Sequence, residues 1–153
     1  MDRPSGTVTF LFTDIESSTA AWDGHHSAMS IAQARHDAIV RTAIGRGDGY
    51  IFSTGGDGVA AAFQSARTAV TAAAEIQRAI GDEVWPVPLQ IRVRMGMHTG
   101  EALERDGDYY GPAVIRAARL MSLVGGGRIV CSLATQEVVR PRLEPGLDLV
   151  RIG

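Results

Sequence analysis

Apolar and polar residues change rhythm several times along this chain, and each rhythm predicts an element. Thr7 to Thr13 is a β-branched and aromatic run, a strand that ends on Asp14. From Ser27 to Ile44 the positions Ile31, Ala34, Ala38, Ile39 and Thr42 recur at helical spacing, and the pattern stops near Gly45 and Gly47. Gly49 to Ser53 and Val59 to Phe63 read as two short strands around Gly55-Gly56-Asp57-Gly58, a hairpin signal. Ser65 to Ile80 is an alanine-rich amphipathic helix. Leu89 to Met95 alternates strictly, which predicts a strand with one wet face. Gly111-Pro112 opens a third helix, with proline where its missing N–H costs nothing. Arg128 to Cys131 is a short strand, Ser132 caps a last short helix, and Leu147 to Ile152 is a further apolar run. The order β-α-β-β-α-β followed by additional elements predicts an α/β (α+β) fold. Its expected core is ferredoxin-like, an antiparallel sheet with helices packed on one face.

Composition narrows the function classes. At 153 residues the chain is long enough for a real core, and no linker, repeat or low-complexity stretch divides it, so 1–153 is expected to be a single domain. A net charge of -2 gives no basic footprint, so nucleic acid is not an expected partner. Every cationic side chain is arginine; lysine and asparagine are absent. The single cysteine, Cys131, excludes an internal disulfide framework. No apolar stretch approaches the roughly 20 residues that span a bilayer, and no signal peptide is visible. A cytoplasmic protein without a membrane partner is expected.

The candidate chemistry sits at two tips. Asp14 closes one β-like run and Asp57 follows another. If the tips meet on neighbouring strands, two carboxylates converge with little else to neutralise them, which suits a pair of hard divalent cations. Either aspartate alone reads equally well as turn chemistry or helix capping. His25, His26, His36 and His98 are too scattered for a zinc site. The first two read as solvent-exposed, and His98 as a satisfied structural histidine.

Taken together and in order, TFLFTDIESSTAAW (9–22), RHDAIVRTAIGRGDGYIFSTGGDGVAAAF (35–63), VRMGMHTGE (93–101) and GDYYGPAVIRAARLM (107–121) resemble the catalytic domain of class III adenylate/guanylate cyclases. The similarity is to the bacterial, mycobacterial-type branch. It implies a head-to-tail homodimer with nucleotide sites at the subunit interface. In each site Asp14, Asp57 and the Ile15 carbonyl would bind two Mg²⁺ or Mn²⁺ ions. Backbone N–H groups around Glu16, Ser17, Ser18 and Thr19 would hold the phosphates, as the free donors of a helix start can. The partner would supply Asp108 for the base and Arg119 for charge on the transferring phosphoryl group. Two positions depart from the family. Ser53 stands where a base-selecting lysine is usual, and Ile115 where an asparagine orients the ribose. The resemblance therefore implies conversion of ATP, favoured over GTP by Asp108, to cyclic AMP and pyrophosphate, with weak activity and loose base choice. It also implies closing C-terminal strands that this chain, ending at Gly153, is expected to lack. Two other readings stay open: a cyclase-like module that dimerises and binds nucleotide without turnover, and a diguanylate cyclase. Against the latter, Gly58 and Val59 follow Asp57 where glutamate and phenylalanine are expected.

Overall fold

The β-branched run near the start of the chain becomes the centre of a sheet. The structure, a computed structural model, describes residues 3–142. Strand β1 (Thr7–Ile15) lies between β3 (Gly58–Phe63) and β4 (Val93–Glu101), antiparallel to both. β2 (Tyr50–Gly55) extends the sheet beyond β3, and β7 (Ile129–Cys131) runs parallel to β4 at the other edge. The order β2-β3-β1-β4-β7 contains the ferredoxin-like core that the sequence pattern predicts.

Alternation along the strands builds two apolar layers. Leu11, Ile15, Val93, Met95 and Met97 pack with Met29, Val40 and Ile44 of α2 (His26–Arg46) and with Ala69, Ala73 and Ile76 of α3 (Ala66–Asp82). These two core helices share one face, as expected. Val8, Phe10 and Ala62 instead meet Tyr109, Ala113 and Ala117 on the other face. Tyr109 belongs to β6 (Asp108–Tyr110) and the two alanines to α4 (Pro112–Met121). Gly96 permits this second layer, because a Cβ there would lie 2.3 Å from Met121 N and 2.7 Å from the Ala117 carbonyl oxygen. Within Leu89–Met95 the expected wet side holds, with Gln90 and Arg92 exposed and Arg94 half-buried, whereas the same face further along β4, at Gly96, is covered by α4.

The strand expected over Leu89 to Met95 is displaced. Its ladder begins at Val93 and runs to Glu101. Pro86 and Pro88 cannot donate to a ladder, and the Leu89 N–H turns back to the Pro86 carbonyl at 2.8 Å. Ile91 is buried without belonging to a strand. Two elements go beyond the sequence pattern. One is α1 (Ser18–Gly24). The other is a hairpin of β5 (Leu103–Arg105) with β6, turning at Asp106 (φ 53) and Gly107 (φ 83). Consecutive left-handed residues suit a tight hairpin, and the Asp-Gly pair was its signal. Ser132 caps α5 (Leu133–Val139) by accepting from Thr135 N–H, as its sequence context predicts. The Leu147–Ile152 run lies outside the described residues. Among the described residues no helix is long and apolar enough to cross a membrane.

Candidate active site

The C-terminal end of β1 is held from two sides. Across the ladder Asp14 lies directly opposite Arg94 of β4. Arg94 Nε donates to Asp14 Oδ1 at 2.7 Å and Nη2 to Oδ2 at 2.5 Å, a bidentate charge-assisted pair. This corrects the expectation that little neutralises the two carboxylates. The pKa of Arg94 is raised, chiefly by its hydrogen bonding to Asp14; partial burial opposes that rise, and the charges of Asp14, Glu16 and Asp57 add to it. One guanidinium thus lies in the field of three carboxylates.

Asp57 sits in the turn joining β2 to β3. Its Oδ2 accepts from the Ile15 N–H at 2.6 Å, while the Ile15 side chain is anchored in the core. That single bond fastens the hairpin tip to the end of β1, beside Asp14. The chain then bends away. Glu16 N–H donates to the Arg92 carbonyl at 2.8 Å, and Glu16 Oε1 accepts from Gly126 N–H at 3.1 Å. The Glu16 N–H is therefore engaged, and the expected phosphate cradle contracts to Ser17, Ser18 and Thr19. Ser17 has φ 57 and makes no side-chain cap to α1. The first N–H groups of a helix have no intrahelical acceptor.

The donor set fits Mg²⁺ or Mn²⁺ in one particular way. Asp14, Asp57 and the strand-end carbonyl are hard oxygen donors, but among the described residues no group of three or more His, Cys, Asp or Glu converges to hold a metal. Mg²⁺ is commonly bound through one or two carboxylates plus substrate phosphates and water, not by an all-protein cage. Sparse carboxylates beside a helix start match that habit, with Arg94 as the competitor for Asp14.

The remaining candidates lie elsewhere in the chain. Ser53 is exposed on β2, just after an irregularity in its pairing with β3. Asp108 Oδ1 accepts from Tyr109 N–H at 2.8 Å. Ile115 and Arg119 are exposed one turn apart on α4. Among the described residues no hydrogen bond joins these four to Asp14 or Asp57. His98 is buried, with Nδ1 at 2.6 Å from Ser132 Oγ, and burial, then the charge of Arg116, lowers its pKa. It is a structural histidine, as read from the sequence. His25 and His26 are exposed. Sequence reasoning passed over Arg94, whose only signal was its place in an alternating run.

The family described as the adenylate and guanylate cyclase catalytic domain matches residues 2–151. The chain belongs to that family. An uncharacterized protein of Mycobacterium tuberculosis is 40% identical over 152 residues, covering 98% of this chain and 51% of the relative. The chain thus spans about half the length of that curated relative. A structure of adenylate cyclases from Trypanosoma brucei in their monomeric state superposes with a TM-score of 0.81 at 30% identity, covering 90% of this chain and 78% of that one. A Silicibacter pomeroyi structure described as an adenylate/guanylate cyclase/hydrolase gives a TM-score of 0.77 at 29% identity, covering 90% and 81%. In this cyclase domain the βαββαβ core and the antiparallel-dominated sheet are those of the family.

Proposed function

We propose that the domain cyclises ATP to cyclic AMP and pyrophosphate at a site divided between two copies of the chain. The observation that carries this reading is the bond from Ile15 N–H to Asp57, which brings the second carboxylate to the strand end that bears Asp14. Asp14, Asp57 and the Ile15 carbonyl would hold two Mg²⁺ or Mn²⁺ ions. When bound, such ions activate the ribose 3′-hydroxyl and neutralise triphosphate charge. Ser17, Ser18 and Thr19 would receive the phosphates through backbone N–H groups. The reaction joins O3′ to the α-phosphorus and releases pyrophosphate.

Among the described residues Asp108 and Arg119 make no hydrogen bond to Asp14 or Asp57, which is consistent with a second copy as their source. Arg119 of the partner would stabilise charge on the phosphoryl group, and its Asp108 would accept from the exocyclic amine of adenine. Ser53 reaches less far than lysine and carries no charge, so base choice would be loose. Ile115 cannot orient the ribose by a hydrogen bond, so turnover would be slow; one such lost positioning group typically costs about 10²- to 10³-fold. Leu103 and Tyr110 form a cross-strand pair exposed by 56% and 51%, and Ile115 is 55% exposed, apolar surface suited to a head-to-tail partner.

Thermal melts with Mn²⁺ and ATP test the site. A ligand that binds only the folded state raises its stability, so a shift is expected in the wild type and none in Asp14→Ala or Asp57→Ala. Equal shifts in all three would place the ions elsewhere. A turnover assay run beside the melts separates an enzyme from a binding module.

A further inference from the structure

Gln33, on the second turn of α2, belongs to no motif singled out from the sequence. Its side-chain Oε1 accepts from the Trp22 indole N–H at 3.1 Å, and its Nε2 donates to the Gly56 carbonyl at 2.7 Å. The amide orientation follows from its partners, since an indole N–H can only donate and a carbonyl can only accept. Gln33 thus joins two elements with no other polar tie between them among the described residues. Trp22 lies on α1, the helix whose start is the proposed phosphate cradle. The Gly56 carbonyl belongs to the peptide unit that leads into Asp57.

We infer that Gln33 is a positioning residue for the cation carboxylate Asp57. This inference rests on the function proposed above. Gly56 has φ 57, in the left-handed region that lets a glycine peptide turn over readily. The Asp57 side chain is fixed by Ile15 N–H, but that bond leaves the preceding peptide plane free to rotate. Gln33 fixes the plane. Asp57 is then held at both ends, its carboxylate by β1 and its backbone by α2. The same amide holds α1 through Trp22, so a shift of the Asp57 turn on cation loading is passed to the helix that receives phosphate. Trp22 also packs edge-on to the His26 ring, with centroids 5.1 Å apart, a second contact that holds the indole.

Gln33→Glu separates positioning from charge. The carboxylate still accepts from Trp22 but has no proton for the Gly56 carbonyl. It also adds negative charge near a cation site, which by electrostatics alone would tighten Mn²⁺ binding. The assay is free Mn²⁺ counted by electron paramagnetic resonance as MnCl₂ is titrated into the full chain. The expected result is binding weakened by roughly threefold to tenfold, the worth of one net hydrogen bond. The second measurement follows the indole N–H resonances of Trp22 and Trp85 during a Mg²⁺ titration, assigned with Trp22→Phe. The Trp22 resonance should shift in the wild type and stay still in Gln33→Leu, with circular dichroism and melting confirming that both variants fold. Unchanged or tighter Mn²⁺ binding by Gln33→Glu, or a Trp22 shift that persists in Gln33→Leu, overturns the inference alone. Mn²⁺ binding that survives Asp57→Ala overturns the proposed site and the inference with it.

Discussion

Replacing Arg94 with methionine should have opposite effects on the cation-free and the cation-loaded protein. Methionine preserves much of the aliphatic packing and removes the guanidinium. Side-chain exposures of 20% for Asp14 and 29% for Arg94 put their pair between a surface and a buried ion pair. Exposed pairs contribute about 0–1 kcal/mol, and breaking a buried one costs about 3–5 kcal/mol. A loss of about 1.5–2 kcal/mol is expected without metal, which for a chain of this size lowers the melting temperature by roughly 3–8 °C. With Mn²⁺ the sign reverses. In the wild type an ion at Asp14 must displace some of the bonds to Arg94; in the variant it meets a free carboxylate. Affinity should therefore rise by about the same free energy, roughly 10- to 30-fold. Melts in EDTA and in MnCl₂, with free Mn²⁺ counted directly, read both effects. Arg116→Met, which removes an exposed arginine from α4, controls for the change in net charge. Wild-type melting of Arg94→Met in EDTA, or Mn²⁺ affinity that stays level or falls, would refute the competition between Arg94 and the cation.

Further expectations concern pH, packing and the departures from the family. His98 has a lowered pKa in the folded state. As pH falls through about 6.5 the unfolded chain takes up a proton that the folded one resists, so this contribution to stability is complete above that pH and declines below it. Urea midpoints between pH 7.5 and 5 should fall less steeply in His98→Gln, and equal slopes would exclude His98 as the source. Gly96→Ala drives a methyl into the α4 backbone and should cost several kcal/mol, read as a lower denaturation midpoint, because the contact at 2.3 Å is with main chain that cannot rotate away. Ser53→Lys with Ile115→Asn should raise turnover, through a better-oriented ribose, and should raise the preference for ATP over GTP, through a charged donor to the base. No gain in a variant that still binds Mn²⁺ and ATP would dismiss those two positions as the limit.

Local features of the fold were legible in the sequence. The β-branched run of β1, the hairpin around Gly56 and Asp57, and the serine cap at Ser132 each depend on neighbours a few residues away. α1 was not legible, because it has seven residues, no buried side chain and a left-handed Ser17 in place of a hydrogen-bonding cap. Alternation misled at Leu89 to Met95, since an extended loop after two prolines can bury alternate residues without pairing. The site divided along the same line. Asp14 and Asp57 stood out as strand-tip carboxylates, whereas the pairing of Asp14 with Arg94 spans 80 residues and depends on strand register. The loss of the Glu16 N–H to Arg92 depends on that register too.

Cyclisation of a nucleoside triphosphate at Asp14 and Asp57 is the step that most needs measuring. It is tested most directly by mass spectrometry of the products formed when the chain is incubated with Mn²⁺ and, separately, ATP or GTP, with Asp57→Ala as the blank. Cyclic AMP and pyrophosphate are expected in equal amounts, slowly formed, with less cyclic GMP and neither product in the blank. Bound nucleotide with no cyclic product, or cyclic product undiminished in Asp57→Ala, would contradict it.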